Sequence, residues 1–383
     1  MNTIAINPEL IYWAIERSGI DVNTIAKDFP KLHKWGIAGV YPTIKQLERF
    51  ANKTRTPFGY LFLNAPPDET LPIPAYRTFR NKNAERLSPE LIDTVQMMQM
   101  RRDWMRDFMI EEGEGRLDFV GSFNLNSEIM EVVKSLRRLL NLDEEWAAEY
   151  SSWKEALNGL YEAIENAGIL IMKNGVVGNN THRKLNPEEF RGFVLIDEYA
   201  PLIFVNGADF ETAQIFTMAH ELAHLLIGQG AIFNLEYLQP YNNGVEEFCD
   251  SIAAEFLAPK DKFLTLWNSY SNSANNFKLI GEKFKVSQIV IARRALDFNL
   301  IDKGKFFEFY DKYINDQEEV KSKKKEKRRG NFYSTQNTRI GKRFASSVIV
   351  AAKEGRISYK YAFKLTGLRG KTFDEYSNRL GIK

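Results

Sequence analysis

The chain of 383 residues contains a single cysteine, Cys249, and only four histidines. One cysteine excludes an intramolecular disulfide framework and also excludes a cysteine-rich zinc module. A metal site in this protein would therefore have to be built from imidazole and carboxylate ligands.

Long apolar runs and a strong net charge are also missing. No apolar run approaches the roughly 18 to 20 residues that span a bilayer, and the N-terminal segment lacks a basic region followed by an apolar stretch. We therefore expect a cytoplasmic protein without a membrane partner. The formal net charge is only +2, which excludes a strong overall attraction to nucleic acid but leaves local basic patches able to act.

The composition is that of a globular protein, with 44% hydrophobic and 27% charged residues. A chain of this length can form two or three domains with a sizeable core. Most segments show helical spacing and a few show strand spacing, and we find no internal repeat. The expected fold class is α+β, mainly helical, with a small sheet of three or more strands.

The first 65 residues predict a helical domain. Pro8 suits the first turn of a helix that ends near Ser18. A further helix is predicted from Thr43, its N-cap, to Ala51. Its buried stripe is expected to comprise Ile44, Leu47 and Phe50.

Prolines 66, 67, 72 and 74 indicate an extended connector, which sets the first domain boundary. Residues 66–149 are predicted to form this connector and a helical region. Helical periodicity covers residues 88–112 and 127–167.

From Gly168 the spacing of apolar residues changes from one typical of helices to one typical of strands. Residues 168–172, 191–197 and 201–206 predict strands, the last two forming a hairpin. A helix capped by Asp209 should follow and end at Gly228, and another should cover Val245 to Leu257 before Pro259. Two more helices are expected within residues 273–298, so that residues 150–300 would form one domain.

The remaining residues, 301–383, predict a basic linker and a small helical appendage. A helix is expected from Lys303 to Asn315. The run from Lys321 to Arg329 contains seven basic residues, and such a run is usually solvated or disordered. Helical spacing returns after it.

Two of the four histidines lie in the segment FTMAHELAHLLIG, residues 216–228. Side chains four residues apart share one face of a helix, so His220 and His224 can present two imidazoles to one point. Glu221 lies about 100° round the helix, where it can reach a water on a metal without being a ligand. This is the H-E-x-x-H arrangement of zinc hydrolases.

A chance occurrence of this pattern is the alternative, but the surrounding helix argues against it. The helix is apolar on nearly every side, and burying three polar side chains there is costly unless they are satisfied. A metal would satisfy them.

Catalytic zinc generally takes three protein ligands and leaves a further position for water. In VEEFCDSIAAEFLAP, Glu246 and Asp250 are again four residues apart. A helix packed on the first would direct Glu246 at the metal, while Asp250 could accept the other ring N–H of His220. Glu247 is the alternative ligand, although Ser251 stands at its i+4 position, and a solvent-facing acidic stripe is the alternative for all three carboxylates.

The segments FTMAHELAHLLIG and EFCDSIAAEFLAP, together with GFVLID and PLIFVN, resemble the ImmA/IrrE family of intracellular metallopeptidases, which are gluzincins. The resemblance covers about residues 150–300. Cys249, Asp250 and Ile252 depart from the family pattern, although Asp250 agrees with the general gluzincin arrangement.

This resemblance implies one zinc ion per chain, held by His220, His224 and Glu246, and a peptide-bond hydrolase in which Glu221 is the general base. Substrate is expected to pair with a strand edge at the segment ending in Asn206. Tyr237, Tyr241 and His182 are candidates for the residue that stabilises the oxyanion.

The N-terminal 65 residues resemble a repressor-type helix-turn-helix through Trp35, Gly39, Pro42, Thr43 and Leu47. Only Lys34 and His33 are placed to reach base edges, so a protein-docking role is the alternative. The resemblance also implies a protein partner such as a repressor or a toxin encoded nearby. DNA could contact residues 1–65 or the basic run 321–329.

Three functions remain open at this stage. The first is a zinc endopeptidase that cleaves a specific protein partner. The second is a DNA-binding regulator or antitoxin whose zincin domain binds or senses without cutting. The third is an adaptor with a vestigial metal site, and the intact Glu221 argues against it because a non-catalytic site has no need of a base.

Overall fold

A computed structural model of the chain describes residues 3–37, 39–69, 87–230, 232–233, 244–270, 273–323 and 332–382. The side chains of residues 232–233 and 317–323 are outside this description. The chain divides into two compact units, the first comprising residues 1–72 and 77–96 and the second residues 73–76 and 97–383. No helix of the described residues is long and apolar enough to cross a bilayer.

The first unit is built from short helices. They are α1 (Pro8–Ser18), α2 (Val22–Asp28) and α3 (Ile44–Thr54), with 3-10 turns at Leu32–Lys34 and Phe58–Phe62. The predicted first helix is confirmed, with Asn7 as its N-cap and Pro8 in its first turn. Thr43 caps α3 as predicted, in a reciprocal capping box with Gln46.

An aromatic cluster fills the core of this unit. The rings of Phe29, Trp35 and Phe50 meet edge to face, with centroids 5.6–5.7 Å apart. Leu47 is also fully buried, but Ile44 is 45% exposed, so its predicted burial is wrong. Ile44 lies in the first turn of α3, about 60° from Leu47 and 120° from Phe50 round the helix axis, at the edge of the buried face.

Helix α4 (Pro89–Glu111) begins in the first unit and ends in the second. The predicted helical stretch 127–167 is divided into α5 (Ile129–Leu140) and α6 (Trp153–Asn166), with a 3-10 turn at Trp146–Glu149 between them. Helix α5 ends because Asn141 takes a left-handed backbone conformation, with φ of 52°, that a helix cannot continue.

The described residues of the second unit form six strands. They are β1 (Leu170–Asn174), β2 (Val176–Val177), β3 (Asn180–Lys184), β4 (Gly192–Leu195), β5 (Leu202–Asn206) and β6 (Ile232–Phe233). Four of them form one sheet in the order β1-β5-β4-β6, and β2 and β3 form a separate antiparallel pair. The predicted α+β class is confirmed, as is the predicted β4–β5 hairpin.

Strand β5 is central in its sheet. It pairs with β1 in parallel, so that Asn206 lies opposite Asn174, and with β4 in antiparallel. The predicted substrate contact along the edge of this strand is therefore wrong, because both edges already carry backbone hydrogen bonds.

Helices α7 (Glu211–Ile227) and α8 (Gly244–Leu257) pack on each other, and α7 also packs on β4 and β5. Gly228 ends α7 in the left-handed conformation, as predicted. Asp209 does not cap α7, since Phe210 occupies that position. The Asp209 carboxylate instead forms an ion pair with Arg191, in which Nη1 lies 2.8 Å from Oδ2.

The other elements described in the second unit, C-terminal to α8, are helices. Its helices are α9 (Lys260–Tyr270), α10 (Asn276–Phe284), α11 (Gln288–Asp297), α12 (Lys303–Lys323), α13 (Phe332–Ile340), α14 (Lys342–Lys353), α15 (Tyr359–Thr366) and α16 (Lys371–Arg379). Helix α12 continues eight residues past Asn315, so the first three residues of the basic run are helical. The rest of the run lies outside the described residues.

Candidate metal centre

The centre of α7 buries three polar side chains among apolar ones. His220, Glu221 and His224 are each 0% exposed, and every residue of α7 from Gln214 to Ile227 is buried. A helix that is apolar on all sides packs inside a protein rather than on its surface. Its polar side chains therefore need partners within the protein or from a bound group.

Helix α8 brings a carboxylate to the two histidines. Nε2 of His220 lies 3.2 Å from Oε2 of Glu246, and Nε2 of His224 lies 3.4 Å from Oε1 of the same residue. The two Nε2 atoms are 2.9 Å apart. Glu246 is 8% exposed, so all three side chains converge in a buried position.

The outer nitrogen of each imidazole has its own acceptor. Nδ1 of His220 lies 2.9 Å from Oδ1 of Asp250, and Nδ1 of His224 lies 2.8 Å from the carbonyl oxygen of Gln229. Because carboxylate and carbonyl oxygens only accept, each Nδ1 carries the proton. Each Nε2 then directs a lone pair at the same point.

This donor set fits a metal ion. Two lone pairs that face each other at 2.9 Å repel unless a proton or a metal ion lies between them, and the carboxylate of Glu246 adds a negative charge beside them. A tetrahedral zinc ion with bonds of about 2.0–2.1 Å separates its ligand atoms by about 3.3 Å. The separations of 2.9, 3.2 and 3.4 Å match that spacing.

The electrostatics of the three residues favour a positive charge at this point, so a metal ion would replace a proton on Nε2 of His220. Burial disfavours a charged imidazole, but the carboxylates of Asp250 and Glu246 outweigh it and raise the pKa of His220 to about 10. Burial lowers the pKa of His224. Although burial disfavours a carboxylate, hydrogen bonds from the two imidazoles lower the pKa of Glu246 well below its usual range.

Glu221 lies one residue along α7 from His220 and has a different environment. Both of its carboxylate oxygens are buried and have no hydrogen-bond partner among the residues that the structure describes. Burial raises the pKa of this carboxyl well above its ordinary value. An orphan buried carboxylate is costly to stability, and such groups are found where chemistry requires them.

Gly192 on β4 lies close to Glu221, and its lack of a side chain leaves space for that carboxylate. A Cβ atom at this position would be 3.2 Å from Oε1 of Glu221, 2.9 Å from the carbonyl oxygen of Phe204 and 2.5 Å from Cγ2 of Thr217. The strand therefore approaches α7 at a distance that only glycine allows.

The structure brings together the five residues singled out from the sequence: His220, Glu221, His224, Glu246 and Asp250. The alternative ligand Glu247 is exposed, on a different side of α8 from Glu246. Among the candidates for oxyanion stabilisation, His182 is exposed on β3, which does not belong to the four-stranded sheet on which α7 packs. Tyr237 and Tyr241 lie outside the described residues.

Two contributors escaped the sequence analysis, namely the carbonyl of Gln229 and Gly192. The signal for Gln229 was Gly228, which reverses the chain so that the next carbonyl turns back to His224. No sequence signal marks Gly192, since its role depends on the distance between a strand and a helix.

Comparison with protein families agrees with this geometry. Residues 164–296 match the family model Peptidase_M78, described as the IrrE N-terminal-like domain. Residues 340–379 match a domain of unknown function, DUF8813. No curated protein matches the chain.

Proposed function

We propose that this chain, in which residues 164–296 form an IrrE-type metallopeptidase domain, is a zinc-dependent endopeptidase that acts in the cytoplasm on a specific protein partner. His220, His224 and Glu246 would hold one zinc ion. Glu221 is the general base, and Asp250 positions His220.

The buried carboxylate of Glu221, which has no partner in the described part of the chain, carries this proposal. A metal site that served only structure or sensing would gain from an apolar or hydrogen-bonded residue there, because an orphan carboxylate is destabilising. Next to the three proposed metal ligands, a carboxylate with a raised pKa is suited to take up a proton at neutral pH.

Zinc, when bound, would supply a Lewis acid and lower the pKa of water at the site toward about 7. Glu221 would accept a proton from the attacking water and deliver it to the leaving amide nitrogen. Asp250 holds the ring of His220 in one tautomer throughout, and the Gln229 carbonyl does the same for His224.

The substrate we propose is a regulatory protein, such as a repressor or a toxin encoded nearby. The resemblance of the domain to intracellular peptidases of this kind supports that choice. The alternative is a DNA-binding regulator whose zincin domain does not cut, with contacts through residues 1–65 or the basic run 321–329.

Metal content tests the first step. Elemental analysis of the purified protein should find about one equivalent of zinc, and His224→Ala should lose it, because a two-ligand site binds weakly. Wild-type protein that holds no metal after reconstitution would refute the proposal.

Glu221→Gln tests the second step and separates the two functions. This variant should retain zinc and fold but lose cleavage of the partner, since the amide cannot accept the proton. If wild type and Glu221→Gln act alike on the partner, and binding to DNA falls steeply with salt, the regulator is the correct alternative.

A further inference from the structure

A cluster of basic and amide side chains surrounds a small cavity in the second unit, apart from the candidate metal ligands. Its volume is about 40 Å³. Helices α4, α13 and α15, the end of β1 and the turn between β2 and β3 line it. Its lining residues are Met97, Met98, Arg101, Asn174, Gly178, Asn179, Gln336, Arg339, Ile340, Lys364, Thr366 and Gly367.

Arg101 is the most unusual of these residues. It is 4% exposed, and its Nε and Nη1 donate to the carbonyl oxygens of Leu365 and Arg339, at 2.9 and 3.0 Å. Nη1 also lies 3.2 Å from Sδ of Met172. Nη2 donates to none of the residues that the structure describes, so its two N–H groups remain available.

The charge around this cavity is not balanced. Arg101, Arg339 and Lys364 line it, and no aspartate or glutamate does. None of the three cations has a carboxylate within ion-pair distance in the described part of the chain. Burial alone lowers the pKa of Arg101 to about 10 and also lowers that of Arg339.

Of the three cations, Arg101 is buried, Arg339 is half-buried and Lys364 is exposed. A buried cation such as Arg101 is usually paired with an anion, because its desolvation is otherwise uncompensated. Two carbonyl oxygens supply dipoles to Arg101 but no negative charge. Water in the cavity would solvate the guanidinium without neutralising it.

Neutral polar groups complete the lining. Nε2 of Gln336 and Nη1 of Arg339 both donate to Oδ1 of Asn179, at 3.2 and 3.1 Å. Gln336 is fully buried, yet its Oε1 has no hydrogen-bond partner in the part of the chain that the structure describes. A buried acceptor of this kind calls for a donor, which a water molecule or a bound group can supply.

We propose that this cavity binds a phosphate-sized oxyanion. Nη2 of Arg101, the Arg339 guanidinium and the Lys364 ammonium would pair with its charge, and a protonated oxygen, as in hydrogen phosphate, would donate to Oε1 of Gln336. A volume of about 40 Å³ is a few times the minimum for one water, so it admits the anionic group but not a whole nucleotide. A larger ligand would leave the rest of its structure outside.

The site joins two parts of the chain that match different families. Asn174, Gly178 and Asn179 belong to the metallopeptidase match, whereas Ile340, Lys364, Thr366 and Gly367 belong to the DUF8813 match. A bound anion would therefore link the C-terminal helices to the end of β1 and to the turn between β2 and β3.

Phosphate binding to the full-length protein tests the proposal. Isothermal titration with inorganic phosphate, at constant ionic strength, should give one saturable site. Arg339→Gln and Lys364→Gln should each raise the Kd about tenfold or more, the usual effect of removing one charged hydrogen bond. Acetate should bind more weakly than phosphate. If a nucleoside monophosphate binds more tightly than phosphate, the anionic group in the cavity belongs to a larger ligand.

Matched variants distinguish this site from general charge effects. Lys360→Gln removes an exposed charge one turn earlier on α15 and should leave the Kd unchanged. His224→Ala should also leave the Kd for phosphate unchanged. That result would show that the phosphate does not bind at the proposed metal site. The proposal is overturned if binding does not saturate, or if Arg339→Gln and Lys364→Gln behave like Lys360→Gln.

Discussion

Nδ1 of His220 and Oδ1 of Asp250 are 2.9 Å apart, which joins the H-E-x-x-H helix to the helix that carries Glu246. The contact places the proton of His220 on Nδ1 and frees Nε2 as a ligand. It also fixes the distance between α7 and α8 at the level of the three converging side chains.

Asp250→Ala should weaken zinc binding about 10- to 100-fold while the three ligands remain in place, because the imidazole loses its orienting acceptor. Competition with a chelating dye measures this change. Glu247→Ala is the matched control, since Glu247 is exposed on the same helix and its removal should not alter affinity. An unchanged affinity in Asp250→Ala would show that packing alone orients His220.

Glu221→Gln should stabilise the metal-free protein by about 1–3 kcal/mol at pH 8. Burial raises the pKa of the Glu221 carboxyl, so folding at this pH must desolvate its charge or take up a proton, whereas the amide of the same shape is always neutral. Urea unfolding at pH 8 in the presence of a chelator measures the difference. Glu211→Gln, at the exposed start of the same helix, should change stability by less than about 0.5 kcal/mol. A less stable Glu221→Gln variant would mean that the carboxylate has a partner in the folded protein.

Gly192→Ala should destabilise the protein by about 1–3 kcal/mol and reduce cleavage, because its Cβ would press on Thr217 and on the Phe204 carbonyl. Thermal unfolding and the cleavage rate are the two measurements. Gly115→Ala is the control, since a Cβ there meets nothing within 4 Å. Equal behaviour of the two variants would show that β4 can move away from α7 without cost.

Glu255→Gln should destabilise the protein by about 3–5 kcal/mol, because Glu255 forms a buried ion pair with Arg294 and the change leaves that cation unpaired. Arg294 also donates to the carbonyl oxygen of Ala258, so the pair anchors the end of α8 on α11. Urea unfolding gives the magnitude. The double variant Glu255→Gln with Arg294→Met should recover part of the loss; no recovery would assign the effect to packing instead.

Much of the local structure could be predicted from the sequence, because helix ends and strands depend on neighbouring residues. Pro8, Thr43 and Gly228 marked helix ends where the structure has them. Predictions that depended on distant partners were less successful. Asp209 was expected to cap α7, but Arg191, eighteen residues earlier, takes its carboxylate.

The sheet shows the same limit. Its strands could be predicted from short apolar runs, but their order could not, so β5 was expected at an edge although it lies between β1 and β4. Periodicity describes which face of a strand is buried and contains no information about which strand lies beside it.

The sequence by itself determined that two imidazoles and a carboxylate share the middle of one buried helix, since the 3.6-residue turn places positions 220, 221 and 224 without help from the rest of the chain. Only the tertiary structure decided that Glu246 rather than Glu247 faces them, that the Gln229 carbonyl orients His224, and that Arg101, Arg339 and Lys364 surround one cavity. Those relationships join residues far apart in the chain, and packing of whole helices and strands sets the distances between them.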